Sequence, residues 1–310
     1  MNIKKVIPLL ITLINILIVF ILYVLFLKVN ENKYKKSYSS YQVNKINISI
    51  VLLVKNNYKW LKNLNHYMKI IEEKYEHLVH FEYFIYENNS NDGTKKYIRS
   101  FMKDRKGKYF MEDLTEIELR EYKFTDPISK ERGELMAMLR NKLKGLHGEL
   151  RSDYTVLIDS DVYFDFTVFM KMIEVMNKNK DVVMVTPFVS DFSDKLEYDN
   201  NHYYDTFALI TNDNLDFTNV GLCCLFKQCQ KCKKTREIKN IKISEDKLLD
   251  SNSDLIEVKS AFGSMAMIKT NVYNKVEWEG TICEHISFCE KVREHGKIVI
   301  APKIRITNNA

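Results

Sequence analysis

Glycine and proline are scarce in this chain, with nine and four among 310 residues. Their scarcity excludes collagen-like, elastic and proline-rich linker classes. A dense basic block is also missing: the 47 Lys and Arg exceed the 41 Asp and Glu by six, and the excess is spread along the whole chain. A chain that binds nucleic acid concentrates positive charge on one face or tail, so no nucleic-acid partner is expected. With 45% hydrophobic and 28% charged residues the chain is too apolar to stay disordered, and it is long enough to bury a core. Its six cysteines, Cys223, Cys224, Cys229, Cys232, Cys283 and Cys289, all fall in the last third. The Cys229-Gln-Lys-Cys232 spacing lets two thiolates share a tetrahedral zinc, but a zinc knuckle uses two separated pairs. Zinc, a disulfide and free thiols all stay open for Cys223, Cys224, Cys229 and Cys232.

The first part of the chain is different in kind. Val6 to Leu27 carries no charge over about 22 residues, enough at 1.5 Å per residue to cross a hydrocarbon core of about 30 Å. The run ends in Phe26-Leu27-Lys28 without a small-residue cleavage pattern, which favours a retained transmembrane helix over a signal peptide. Residues 1–5 form a short tail, 6–27 the anchor, 28–45 a polar Ser/Tyr/Lys-rich stem, and 46–310 the following domain. Lys4 and Lys5 face Lys28, Lys33, Lys35 and Lys36 across the span, so charge alone does not orient it. The short tail points to a type II single-pass arrangement with the domain in an endoplasmic reticulum or Golgi type of lumen.

Beyond the stem, strands and helices alternate. Ile46–Val54 is a near-continuous β-branched and Leu run, as in a parallel strand covered on both faces. Tyr58–Tyr75 places Trp60, Leu64, Tyr67, Met68 and Ile71 on one helical stripe. Strands follow at Phe81–Tyr86, Tyr154–Ile158 and Val182–Val185, and a last one runs through KIVIAPKIRI; helices are expected at Thr94–Lys103, Leu135–Leu146, Phe166–Met176 and from Glu284. The pattern predicts an α/β fold: a single open, mostly parallel sheet with flanking helices, in which ligands bind at the carboxyl ends of strands.

Two strand ends carry polar residues. The first is Glu87-Asn88-Asn89-Ser90-Asn91-Asp92-Gly93-Thr94. Its plain role is helix entry, with Ser90, Asn91 or Asp92 capping and Gly93 relieving the turn; the same residues can hold a ribose, base or phosphate. The second and stronger is YTVLIDSDVYF, in which an apolar strand delivers Asp159, Ser160 and Asp161 to its own end. Strand alternation sets the two aspartates on one face, roughly 6.6 Å apart, around a divalent cation that bridges a diphosphate. Such an ion would stabilise a nucleoside diphosphate leaving group. An aspartyl phosphatase site instead wants Asp-x-Asp-x-Thr early in the chain, whereas Tyr163 holds the fifth position at mid-chain. Nucleotidyl transfer also uses paired carboxylates on a sheet and stays an alternative.

The ordered series IYENNSNDGTKKYIRSF, LRNKL, VLIDSDVYF, YYDTFAL, FGSMAMI and CEHISFCEKVREHG resembles the A-type (GT-A fold) glycosyltransferases. More narrowly it resembles the fungal capsule-associated α-1,3-mannosyltransferase family, over roughly residues 48–306. Beyond the anchor read from residues 6–27, the resemblance implies an enzyme that moves a hexose from a nucleotide sugar to a glycan or other hydroxyl acceptor. It implies Mn2+ or Mg2+ at Asp161 with help from Asp159, and a nucleotide-sugar site including Glu87, Asn88, Ser90, Asp92, Ser160 and Arg140, with Arg132 a weaker candidate. Asp205 and His285 become acceptor-site or framework residues. For an inverting transfer Glu284 becomes the carboxylate that takes the acceptor hydroxyl's proton, and for a retaining one it positions the acceptor or donor sugar; the first turn of a helix also suits a glutamate for its dipole alone. Many A-type enzymes complete the metal site with a C-terminal His; here Thr307-Asn308-Asn309 offers none, leaving Asn308 or water. GDP-mannose is the first donor expected from the narrower resemblance, a UDP-hexose the second. A non-catalytic nucleotide-sugar- or glycan-binding protein of the same fold is the alternative from another class. Asn47-Ile48-Ser49 and Asn88-Asn89-Ser90 are formal glycosylation acceptors in a lumen.

Overall fold

The computed structural model describes residues 45–115, 118, 129–191, 205, 207–212, 255–280 and 283–308. The expected anchor, most of the stem and Cys223, Cys224, Cys229 and Cys232 lie outside these residues. No helix among the described residues is long and apolar enough to cross a membrane.

Strand β1 (Ile46–Val54) is buried almost throughout, with Ile48, Ile50 and Leu52 on one face and Ser49 and Val51 on the other. A run of this kind survives only with layers on both sides. Helix α1 (Tyr58–Tyr75) turns Leu61, Leu64, Met68 and Ile71 inward, three of them from the expected stripe, whereas Trp60 and Tyr67 of that stripe are only half-buried. Then follow β2 (Val79–Asn88), α2 (Thr94–Phe101), β3 (Gly107–Glu112), α3 (Lys130–His147), β4 (Tyr154–Ile158), β5 (Val162–Phe164), α4 (Val168–Lys178) and β6 (Val182–Asp191). The described chain continues with β7 (Ile210–Thr211), β8 (Ile256–Ser260), β9 (Met265–Lys269), α5 (Thr270–Tyr273), α6 (Glu284–Arg293) and β10 (Lys297–Asn308).

The sheet order is β3-β2-β1-β4-β9-β6-β10-β8-β7, with β5 added on β10. The pairings set β1 to β4, β6, β7 and β10 in one direction and β5, β8 and β9 in the other. The sheet is therefore open and largely parallel, as the alternation predicts, with β9 inserted antiparallel between β4 and β6. Both faces carry helices: Phe81 of β2 meets Phe169 of α4 at 5.7 Å, and Phe84, three residues on and so on the opposite face, meets His147 of α3 at 5.2 Å. At the edge strand β3 the chain needs glycine. Gly107 has φ 121°, and a Cβ there would lie 1.9 Å from the Tyr83 carbonyl oxygen.

This topology gathers one edge of the sheet. The carboxyl ends of β1, β2, β4 and β10 lie there, and the antiparallel β9 begins there, since Met265 pairs with Ile158. The non-glycine residues with positive φ among the described residues, Asn56 (51°), Asn89 (53°) and Ser264 (58°), all sit at this edge. Asparagine tolerates that conformation and serine does so less readily, so strained backbone is concentrated where the strands deliver their polar residues.

Candidate active site

Asp159 leaves β4 one residue beyond its end, and Ser160-Asp161 then form a turn. The expected same-face spacing along a continuous strand is thus replaced by a reversal, because β5 starts at Val162 and must run antiparallel to β10. The Asp159 N–H donates to the Ser264 carbonyl at 2.9 Å, and buried Asn308 donates through Nδ2 to Ser264 Oγ at 2.6 Å. Asn308 also lies opposite Val162 in the β5–β10 ladder. Its Oδ1 is buried with no partner among the described residues, an oxygen acceptor left unserved beside the aspartate turn.

The expected nucleotide loop is largely committed to its own architecture. Asp92 accepts through Oδ2 from Tyr58 N at 3.0 Å and through Oδ1 from Thr94 N and Oγ1 at 3.0 and 2.6 Å. One carboxylate thereby satisfies the N-terminal N–H groups of both α1 and α2. Burial works against its charge, but the Thr94 and Tyr58 donors outweigh it and hold Asp92 below the usual carboxylate range. Ser90 Oγ accepts from Asn56 N at 2.9 Å, and Asn88 Nδ2 donates to Asn89 Oδ1 at 3.2 Å. Glu87, fully buried, takes Ser90 N on Oε1 at 2.6 Å, and its Oε2 has no partner among the described residues. Asn57 was not a sequence candidate. It stands at the N-cap of α1, yet its Nδ2 donates to Ser160 Oγ at 2.7 Å, joining this loop to the aspartate turn.

Arg140, Glu284 and His285 meet although 144 residues separate the first two. Arg140 Nε donates to Glu284 Oε1 at 3.0 Å, and an Arg140 terminal N–H donates to His285 Nε2, also at 3.0 Å. The Arg140 and Glu284 side chains are 10% and 5% exposed, so the pair works in a medium where an unpaired charge is costly. The guanidinium lies 5.5 Å from the Phe262 ring centroid and 6.0 Å from that of Trp278, and Phe262 stacks on His285 at 3.8 Å. The Arg140 charge that the resemblance gives to a diphosphate is therefore spent, at two of its nitrogens, inside the protein.

A backbone strap makes this meeting possible. Asn141, next to Arg140 on α3, donates to the Trp278 carbonyl at 2.8 Å and accepts from Trp278 N at 3.0 Å. Lys144 reaches the Val276 carbonyl at 2.6 Å, and Ser287 of α6 donates to the Glu279 carbonyl at 2.9 Å. Gly280 permits the close approach, for a Cβ there would meet Glu134 Cγ at 2.3 Å. The strap was not singled out in the sequence, and Phe262 stood there only as the first residue of FGSMAMI. Asparagine beside a helical arginine gives no warning of a partner 137 residues away.

Asp205 accepts from Ala208 N at 3.3 Å and Gly263 N at 2.9 Å, tying its segment to the Phe262-Gly263-Ser264 turn. Asp205 was expected at the acceptor site or in the framework, and both of these bonds lie within the protein. Burial raises its carboxyl, and the two N–H donors offset part of the rise. Burial pushes Asp159 up to about 7; Arg140 opposes this, while Asp161, Asp205 and Glu284 add to it. Asp161 is raised by burial as well. For Glu284 burial is outweighed by the Arg140 guanidinium that donates to it, so it stays below the ordinary glutamate range. His285 falls to about 3, through burial first and Arg140 next. Glu284 is thus ionised and His285 neutral at physiological pH. Arg132 supplies no hydrogen bond to this cluster; its N–H is capped by Ser129 Oγ at 3.2 Å.

The donor set at the aspartate turn is two carboxylates and an amide oxygen, all hard oxygen ligands that suit Mg2+ or Mn2+ better than zinc. Among the described residues, no group of three or more His, Cys, Asp or Glu side chains is arranged to hold a metal ion.

A family model described as Cryptococcal mannosyltransferase 1 matches residues 48–297. The chain belongs to this family. The match spans the Glu87–Thr94 loop, the aspartate turn and the Arg140–Glu284–His285 cluster, and the family is one of glycosyltransferases. No curated protein matches the chain. Among solved structures, the chain is similar to S. aureus TarS 1–349 at 10% identity and TM-score 0.46, over 85% of this chain and 60% of that one. It is similar to the mannosyltransferase PcManGT from Pyrobaculum calidifontis, in complex with GDP-Man and Mn2+, at 9% identity and TM-score 0.46, over 86% and 57%. A TarS 1–349 complex with UDP gives 10% identity and TM-score 0.46, over 86% and 61%. The chain thus spans about three fifths of the length of these structures.

Proposed function

We propose that this mannosyltransferase-family chain transfers mannose from GDP-mannose to a hydroxyl of a glycan, with Mn2+ or Mg2+ at the aspartate turn. The family membership supports the sugar; the observation that carries the chemistry is Glu284, ionised and buried at one sheet edge with Asp159 and Asp161. Asp159, Asp161 and the unserved Asn308 oxygen would hold the cation. When bound, it supplies neutralisation of the diphosphate that leaves. Glu87, Asn88 and Ser90 border the nucleotide, with the free Glu87 oxygen available to a base or ribose donor. The acceptor oxygen forms its bond to the anomeric carbon as the bond to the diphosphate breaks. The electron pair leaves with the nucleotide, and the acceptor proton passes to Glu284.

Arg140 keeps Glu284 ionised, so the base is ready at neutral pH without prior deprotonation. Its low basicity is no obstacle, because the hydroxyl becomes acidic only as the new bond forms. The uncharged run Val6–Leu27 supports a single-pass anchor, with 28–45 as stem and 46–310 as catalytic domain.

The test is nucleoside diphosphate release by the purified full chain given GDP-mannose or UDP-hexoses, Mn2+ or Mg2+, and hydroxyl acceptors. Release of GDP with a mannosylated product is expected. Silence with every donor from folded protein would favour a binding protein. Pyrophosphate made from a nucleoside triphosphate and a sugar phosphate would favour nucleotidyl transfer.

A further inference from the structure

His285 presents a donor that nothing among the described residues receives. Guanidinium groups carry only donors, so the 3.0 Å contact between the Arg140 terminal nitrogen and His285 Nε2 requires that Nε2 accept. Glu284 Oε1 lies 3.4 Å from the same nitrogen and, being ionised, has no proton to share with it. A neutral imidazole with an accepting Nε2 carries its hydrogen on Nδ1. His285 Nδ1 is buried and has no hydrogen-bond partner among the described residues. Buried N–H groups without a partner are rare enough in native proteins to call for a reason. The ring is not free to turn away, since Phe262 lies parallel to it within 12° at 3.8 Å.

We infer that His285 Nδ1–H donates to a hydroxyl of the transferred sugar and so helps decide which sugar the site accepts. The inference rests on the glycosyl-transfer reading above. Glu284 is the acidic neighbour that bears on His285, and Arg140, one of its two cationic neighbours, is already engaged by Glu284 and by Nε2. A hydroxyl fits a donor placed beside a carboxylate, because it accepts from the N–H while giving its own proton to the carboxylate. Held neutral, His285 serves as a fixed donor rather than a base, which leaves the acceptor's proton to Glu284.

The experiment compares binding of GDP and of GDP-mannose, each with Mn2+, to the full chain and to His285→Asn and His285→Gln, with folding checked by circular dichroism. The Asn carboxamide reaches about as far as Nδ1 and the Gln carboxamide about as far as Nε2. GDP affinity is expected to stay unchanged in all three proteins. GDP-mannose affinity should fall about tenfold in His285→Gln, the loss of one hydrogen bond, and be largely retained in His285→Asn. Equal weakening of both ligands, or of neither, overturns the inference. Binding of GDP but not GDP-mannose by the parent chain overturns the transfer reading and this one with it. Should the variants not fold, imidazole 15N NMR of the parent decides: an Nδ1–H signal protected by GDP-mannose and not by GDP supports the donor, and equal protection by both refutes it.

Discussion

The loop at Glu87–Thr94 and the cluster around Glu284 are both polar, both at the same sheet edge, and organised on opposite principles. In the loop, Asp92 and Ser90 spend their hydrogen bonds on backbone N–H groups, and the neighbouring Asn57 donates to Ser160 of the aspartate turn. Its polarity builds a shape. In the cluster, carboxylates stay buried around one guanidinium, and a histidine donor stays unserved. Its polarity stores charge where solvent does not dissipate it, which is how functional sites shift acid strengths. Substitution of Asp92, which caps two helices, should therefore register as stability, and substitutions in the cluster as chemistry.

The hardest test of that division is Asp161→Ala. Transfer should fall about a thousandfold or more, about 4 kcal/mol of barrier, with thermal stability unchanged or raised, because a carboxyl disfavoured by burial has been removed. Steady-state nucleotide release and a melting curve suffice. Loss of stability in step with activity would place Asp161 among the structural residues.

Arg140→Ala comes next. Glu284 would be left buried without its partner, and the expected cost is about 3 kcal/mol, the lower end for a broken buried pair, since the carboxyl can take up a proton. Denaturant unfolding measures it. A loss below 1 kcal/mol would mean the pair is solvated and the contrast between the two regions overstated.

Much of the scaffold can be read in the sequence, and the reason lies in what each element buries. The ranges of β1, α1 and β4 match expectation at both ends because an unbroken apolar run or a helical stripe defines them without help. β2 extends beyond Phe81–Tyr86 to Val79–Asn88 since its ladder with β1, from Ile46↔Val79 to Val54↔Glu87, draws polar ends into pairing. β3 was missed because an exposed edge strand has no apolar pattern to show, and β9 because its Met-rich run carries no sign of its direction. The site was legible as separate residues. Asp159, Asp161, Arg140, Asp205, Glu284 and His285 were all candidates, whereas the Arg140–Glu284 pair and the Asn141–Trp278 clasp arise from tertiary folding across more than 130 residues.

A smaller effect separates the regions by pH. His285 sits near 3 where a free imidazole sits at 6.5. As pH falls below about 6.5 the unfolded chain takes the proton first, so the stability of the neutral ring is present above that value and drains away toward pH 3. The slope is of order 1 kcal/mol per pH unit, and His285→Asn should flatten the acid limb of a melting-temperature profile between pH 6.5 and 4. A limb that keeps its slope would assign the acid sensitivity to His147, whose buried ring is also shifted downward.

The smallest effect is expected in the loop. Asp92→Ala removes the acceptor shared by the first turns of α1 and α2, which should cost about 1 kcal/mol, the usual loss for an N-terminal cap. Because Asp92 is exposed and engaged with Tyr58 and Thr94, GDP affinity should change by less than about threefold once the protein is kept well below its melting temperature. Asp92→Asn retains acceptor capacity at one oxygen and should recover part of the stability. If Asp92→Ala instead weakens GDP binding tenfold or more at unchanged stability, then Asp92 is a ligand beside Glu87, Asn88 and Ser90, and the boundary between the two regions moves to include it.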